Sequence, residues 1–215
     1  MKRKLILLLA LLLLLCTSGC RKEISDGLRF KKEYEALNGK KNDEGVSYLE
    51  MQIDTENTVR YCDFDKIIEA LNNGTHLVYL GWPQCPWCRS MLPVLIETVN
   101  SFKGVYIYYF NAQDLRNGFE KNPDSAEGKK YRQLADLLKD KATSFYEDGT
   151  AKLVSSNVYF IREGELIAVH NRTVKSHLDP YEPLMDYQKK ELSDEFGKLL
   201  EELTKDIPIG CLDDC

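Results

Sequence analysis

Two cysteines that could carry out redox chemistry, Cys85 and Cys88, stand three residues apart in the stretch GWPQCPWCRSMLPVL. The residues before Cys85 are typical of a buried strand and those after it of a helix, which predicts that Cys85 lies at a helix N-terminus. Unpaired backbone N–H groups and the helix dipole favour a thiolate there, and can lower a cysteine pKa from about 8.5 to roughly 3.5–7.5. Cys85 is therefore predicted to be the nucleophile. Cys88, one turn further along and more covered, is predicted to form or release a disulfide with it.

Three neighbours of the pair are candidates for tuning its chemistry or contacting a substrate. Pro86 is predicted at the first helical position, where its missing N–H costs nothing, and Arg89 adds a positive charge nearby. Trp87 lies between the two cysteines and is interpreted as a partly exposed contact surface. Pro86 and Trp87 together are expected to tune the reduction potential of the pair.

The remaining thiols have several interpretations. Cys211 and Cys215 lie in the tail of residues 207–215, where a small structural disulfide is favoured over electron transfer to the main pair or metal binding with the adjacent aspartates. Cys62, just before a predicted helix, is interpreted as an inert, half-buried thiol. The three histidines are not at zinc-ligand spacing from one another or from the cysteine pair, so neither a metal site nor a cofactor is predicted.

Hydrophobic patterns place the cysteine pair among alternating strands and helices. Strand, helix and strand in succession around the pair indicate a βαβ unit with parallel strands, and the two later strands indicate a hairpin. The fold class predicted is α/β, with a central mixed sheet flanked by helices. A polar insertion is predicted at 111–128. Strands are predicted at 58–61, 77–80, 105–110, 157–161 and 166–169, and helices at about 63–73, 86–99, 129–141 and 192–203.

The N-terminus has the pattern of an export signal. Basic residues at positions 2–4 precede an apolar run, Leu5 to Leu15, which is shorter than the roughly 20 residues that span a bilayer. The sequence TSGC that follows resembles a bacterial lipobox, which implies that residues 1–19 are removed and that Cys20 is lipidated. Thr17 stands where that motif has an aliphatic residue, so an ordinary signal peptide or an uncleaved anchor is the alternative. Either reading places the domain outside the cytoplasm.

The charged residues from 20 to 56 are interpreted as a tether that lifts a domain of residues 57–206 off the membrane. Within this segment Phe30, Tyr34 and Leu37 at helical spacing indicate a short helix. The alternation of apolar residues from 49 to 53 indicates a strand.

This order of elements, with Pro93 five residues after Cys88, resembles the thioredoxin fold over roughly residues 57–205. The sequence CPWCR is also similar to that of thioredoxin-like accessory proteins associated with bacteriocin export. The resemblance implies dithiol–disulfide exchange, with Cys85 as the attacking thiol and Cys88 as the resolving thiol.

Two positions depart from the thioredoxin pattern. Thioredoxins carry a buried acid six residues before the first cysteine, where this chain has Tyr79. The family's cis-proline lies eight residues before the hairpin glycine, Gly164, and that position is Ser156. A cis bond before a non-proline residue costs about 2.5–4 kcal/mol, so the Ser155–Ser156 bond is expected to be strained or trans. The resemblance implies that Ser156 lies in the substrate groove, and that losing the proline favours metal binding by the thiols.

These features predict an extracytoplasmic, membrane-anchored bacterial lipoprotein that acts as a thiol-disulfide oxidoreductase on exported proteins. A membrane thiol carrier is the expected electron partner of a reductase. The alternatives are a module that binds copper or zinc through two thiolates, and a non-catalytic accessory protein. Cleavage of the signal would remove three basic residues and no acid from a chain whose net charge is already −5, so nucleic acid is not an expected partner.

Overall fold

Five strands form a mixed sheet with helices on both faces, as the α/β prediction requires. The computed structural model describes residues 24–206, so the predicted signal peptide, Cys20 and both tail cysteines lie outside the described residues. The strands are Val59–Tyr61 (β1), His76–Leu80 (β2), Ile107–Phe110 (β3), Asn157–Arg162 (β4) and Glu165–Asn171 (β5). The helices are Asp26–Glu35 (α1), Phe64–Asn72 (α2), Pro86–Asn100 (α3), Gln113–Lys121 (α4), Ala126–Leu138 (α5) and Asp186–Thr204 (α6), with a 3₁₀ turn at Lys139–Lys141.

The sheet has the strand order β1-β3-β2-β4-β5. β3 pairs in parallel with β1 and β2, whereas β4 pairs antiparallel with β2 and β5. The central strand β2 is apolar along most of its length because both of its faces are covered. Helix α3 connects β2 to β3, which places the start of α3, and with it the cysteine pair, at the carboxyl end of the central strand.

Each face of the sheet covers its own core. The first core lies under α1, α3 and α6 and contains both Cys85 and Cys88. The second core lies under α2, α4 and α5 and contains Cys62, which is buried. The predicted inert thiol and the predicted redox pair are thus on opposite faces.

Local sequence signals fix several boundaries of the helices and strands. The Asp63 carboxylate caps α2 by accepting a hydrogen bond from the Lys66 backbone N–H. Glu163 and Gly164 form the two-residue turn between β4 and β5, both with positive φ, as a type I′ hairpin requires. The polar insertion differs from the prediction because it contains helix α4, whose only buried side chains are Leu115 and Phe119.

The interpretation of residues 20–56 as a tether is wrong for the part that the structure describes. Helix α1 buries Phe30 and Tyr34 completely in the first core, and the extended segment after it buries Met51 and Ile53. The predicted strand at 49–53 does not join the sheet. Its backbone instead hydrogen-bonds to side chains in and just after α1. The Asn38 side-chain amide donates to the Met51 carbonyl and accepts from the Met51 N–H, and the Glu35 carboxylate accepts from the Ile53 N–H.

Candidate dithiol active site

Cys85 is the N-cap residue of α3, and its sulfur accepts a hydrogen bond from the Cys88 backbone N–H at 3.1 Å. Pro86 occupies the first helical position, as predicted from its fixed φ and missing donor. The sequence therefore places the Cys85 sulfur against the unpaired N–H groups at the positive end of the helix dipole.

The two thiols are free in the structure and differ in exposure and in pKa. Burial opposes ionisation of Cys85, but hydrogen bonds from the Cys88 thiol, the Ser155 side chain and the N–H groups of Cys88 and Trp87 outweigh it and lower its pKa. Burial, together with the adjacent Cys85 sulfur, raises the pKa of Cys88. Cys85 keeps 4% of its surface exposed and Cys88 none, so Cys85 is both the more acidic and the more accessible thiol.

The loop before β4 lies beside Cys85, as the count back from Gly164 predicted. Ser155 hydrogen-bonds to the Cys85 sulfur. Ser156 is fully buried, has a φ of 71°, and its hydroxyl oxygen has no hydrogen-bond partner among residues 24–206. No peptide bond in that range is cis, so the Ser155–Ser156 bond is trans, one of the two states expected. Sequence reasoning did not identify Ser155, whose role depends on the loop conformation.

Trp87 forms part of the exposed rim around the thiols, as predicted. Its indole is partly exposed, packs edge-on against the His177 ring at a centroid distance of 5.6 Å and lies beneath the Arg172 guanidinium. His177 is itself buried and held on both ring nitrogens, by the Thr173 hydroxyl and the Glu182 carbonyl. The Trp87 indole therefore packs against a histidine ring that two hydrogen bonds hold in place, a contact that the sequence does not indicate.

Arg89 faces the N-terminal segment. Its guanidinium donates hydrogen bonds to the carbonyls of Leu49, Tyr34 and Pro83 and to the Asn38 side chain. Burial lowers its pKa, while nearby tyrosines and Cys88 act in the opposite direction. The sequence predicts a positive charge near the thiols at this position, whereas the hydrogen bonds of Arg89 position α1 and the extended segment.

Tyr79, at the position of the thioredoxin acid, is hydrogen-bonded to the Cys88 sulfur. Its hydroxyl lies 3.0 Å from that of Tyr34. The sequence identified Tyr79 only as a missing acid. Tyr34 was identified only as part of a short helix, because its neighbour across the core lies 45 residues away.

In the described part of the chain, no further metal-ligand groups join the two thiols. Within residues 24–206, no cluster of three or more His, Cys, Asp or Glu side chains could hold a metal ion. In the same range no helix is both long and apolar enough to cross a membrane.

Comparison with known proteins adds no family assignment. No protein-family model matches the chain, and no curated protein matches its sequence.

Proposed function

We propose that this chain is a thioredoxin-like thiol-disulfide oxidoreductase that acts on exported proteins through Cys85 and Cys88. The difference between the two thiols supports this function most directly. One sulfur is stabilised as a thiolate at a helix N-terminus and has an exposed edge, while the other is buried behind it with a raised pKa. The strand order, with the pair at the carboxyl end of the central strand, is compatible with the thioredoxin fold.

The proposed exchange takes place in two steps. The Cys85 thiolate attacks one sulfur of a substrate disulfide, forming a mixed disulfide and releasing the other substrate sulfur as a thiolate. Cys88 then loses its proton and attacks the Cys85 sulfur, so that a Cys85–Cys88 disulfide forms and the second substrate sulfur leaves. Two electrons pass from the pair to the substrate. The reverse sequence donates the disulfide to a substrate dithiol.

The partners follow from the proposed location. Exported proteins supply the thiols or disulfides, a membrane thiol carrier returns electrons when the protein acts as a reductase, and a lipid on Cys20 holds the chain at the membrane. No cofactor is required because the two sulfurs carry both electrons.

The order of attack is tested by trapping. Cys88→Ser should stall the reaction after the first step and accumulate mixed disulfides with exported proteins, visible on non-reducing gels and identifiable by mass. Cys85→Ser is the matched control and should trap little, because its remaining thiol is fully buried and has a raised pKa. In the reduced wild type, iodoacetamide should modify Cys85 first, with a midpoint pH below that of an ordinary cysteine.

Equal trapping by both variants, or trapping by neither together with ordinary alkylation, would contradict the proposed function.

A further inference from the structure

Three tyrosine hydroxyls form a continuous line from the Cys88 thiol to a carboxylate at the edge of the domain. Tyr79 of β2 is hydrogen-bonded to the Cys88 sulfur, and its hydroxyl lies 3.0 Å from that of Tyr34 in α1. Tyr34 in turn lies next to Tyr109 of β3, with ring centroids 6.1 Å apart, and its hydroxyl interacts with that of Tyr109. The Tyr109 hydroxyl donates to Glu33 Oε1 at 3.1 Å. The Tyr79–Tyr34 and Tyr109–Glu33 links are hydrogen bonds of 3.0 and 3.1 Å, and the Cys88–Tyr79 and Tyr34–Tyr109 links join neighbouring side chains.

The line runs from a dry interior to solvent. All three tyrosine side chains are fully buried. Glu33, by contrast, is partly exposed and also accepts hydrogen bonds from Tyr61 and Asn111. A proton that reaches Glu33 can therefore be passed to water, whereas no hydroxyl in the interior can do this directly.

Packing holds the hydroxyls in place. The rings of Tyr79 and Tyr109 are stacked with centroids 5.5 Å apart, and Phe30 packs against Tyr34 at 4.4 Å. A Cβ at position 81 would lie 2.0 Å from the Tyr79 hydroxyl oxygen, so Gly81 leaves the space that this hydroxyl occupies. The Arg89 hydrogen bond to the Tyr34 carbonyl attaches α1 to the helix that carries the cysteines.

The second step of the proposed exchange requires such a path. Cys88 must lose a proton before it can attack, yet its thiol is fully buried. Burial raises the pKa values of Tyr79 and Tyr34, so neither hydroxyl is ionised near pH 7. Each can pass a proton on, but neither can serve as the final proton acceptor.

We propose that Tyr79, Tyr34 and Tyr109 relay the Cys88 proton to Glu33 during resolution of the mixed disulfide, an inference that rests on the proposed function. Cys88 gives its proton to the Tyr79 oxygen as Tyr79 gives its own to Tyr34. Tyr34 then protonates Tyr109, and Tyr109 protonates the Glu33 carboxylate. Each hydroxyl gains one proton and loses one, and no tyrosine changes its charge overall. The Cys88 electron pair forms the bond to the Cys85 sulfur, and the substrate leaves as a thiolate. Tyr79 contacts the reacting sulfur and is a catalytic residue, while Tyr34, Tyr109 and Glu33 act through it.

The titratable and charged groups around this line come from α1, α3, β1 and the extended segment after α1. Cys85 and Arg89 lie beside Cys88, and Tyr48 lies beside Arg89. Tyr61 lies beside Tyr109 and Glu33, with Asp26 and Arg29 next to Tyr61.

The relay is tested with 5,5′-dithiobis(2-nitrobenzoate) in stopped flow. Attack by Cys85 releases one thionitrobenzoate in a phase that depends on reagent concentration. Attack by Cys88 on the resulting mixed disulfide releases a second in a phase that does not. Tyr34→Phe and Glu33→Gln, neither of which alters a group in contact with a sulfur, should slow only the second phase, on the order of 10²-fold at pH 7. The defect should shrink as the pH rises, because hydroxide then replaces the relay as proton acceptor.

Tyr131→Phe is the matched control. It removes an equally buried hydroxyl, which accepts from the Leu153 N–H in the core on the other face of the sheet, and should leave both phases unchanged. Unchanged second phases in Tyr34→Phe and Glu33→Gln, or equal slowing of both phases at every pH, would overturn the relay. A wild type without a second phase would overturn the proposed function, and the relay with it.

Discussion

Cys85 and Cys88 carry the same thiol group in two different electrostatic environments. The first caps a helix and accepts hydrogen bonds that favour its anion, and the second lies one turn deeper, where burial disfavours the charge. The spacing and Pro86 were enough to predict this order because helix geometry is local. The Ser155 hydrogen bond to Cys85 was not predictable, since it depends on a loop 70 residues away in the chain.

At Ser156 the backbone conformation determines which residue types the position tolerates. Its φ of 71° is left-handed, which costs a non-glycine residue roughly 1–2 kcal/mol, and its buried hydroxyl has no partner in the described part of the chain. The spacing from Gly164 predicts that this position lies beside the thiols. It did not reveal a conformation that proline, with φ fixed near −65°, cannot adopt.

Ser156→Gly should raise the free energy of unfolding by about 1 kcal/mol, because glycine adopts this φ without strain and removes the unpaired hydroxyl. Urea denaturation measures the change. Ser156→Pro should instead lower stability, because the loop must rearrange. Ser101→Gly is the control: Ser101 has a φ of −80° and a paired hydroxyl, so glycine gains nothing there. A less stable Ser156→Gly variant would mean that the serine side chain makes a stabilising contact.

Among the secondary-structure elements, α1 shows most clearly where composition misleads. Its outward face carries charged residues, which made the segment resemble a tether, while Phe30 and Tyr34 on the inward face fill the first core. Helix α4 escaped prediction for the same reason, since Leu115 and Phe119 form an apolar stripe only two residues long. An apolar stripe of two residues can be recognised as core-facing only when the surface it packs against is known.

Arg89→Lys should lower the free energy of unfolding by about 2 kcal/mol or more. The guanidinium donates to three carbonyls and one side-chain amide, and a lysine ammonium cannot reproduce that planar geometry, so buried carbonyls would lose their partners. Urea denaturation measures the loss, and hydrogen exchange should show faster exchange of the α1 amides.

Arg132→Lys provides the comparison, because Arg132 is partly exposed and its ion pairs with Asp124 and Asp148 are long. Its effect on stability should be within about 0.5 kcal/mol. Equal effects of the two substitutions would show that Arg89 does not hold α1 in place.

At the scale of the whole molecule, the sequence was most informative where structure is local. The five strands of the sheet, the cysteine helix and the hairpin turn followed from periodicity and caps, and the structure confirms them, whereas the strand predicted at 49–53 is absent from the sheet. The hydroxyl line could not be predicted, because it joins α1, β2 and β3, which are far apart in the chain and adjacent only in the folded sheet. The sequence therefore shows that the acid is missing at position 79 but not which hydroxyls we propose replace it.

The position of α1 changes what a lipid on Cys20 would mean for the molecule. The tether interpretation left 36 residues between Cys20 and the domain. Helix α1, however, begins at Asp26, so only about five residues, 21–25, separate it from Cys20. Even fully extended, so short a link spans only about 20 Å. The dithiol site of a lipidated chain would then work close to the membrane surface, within reach of a membrane-bound electron carrier.

We expect the full chain to sediment with membranes and Cys20→Ser to be released into the soluble fraction, because the lipid would be its anchor. Mass spectrometry of the mature N-terminus should find a diacylglycerol-modified Cys20. Cys16→Ser serves as the matched control, since it removes a nearby cysteine outside the lipobox position and should stay on the membrane. Both variants should keep the two phases of thionitrobenzoate release, because neither change touches the dithiol site. Membrane retention of Cys20→Ser, or a mature N-terminus at another residue, would exclude this anchor while leaving the thiol chemistry to be judged by the trapping experiment.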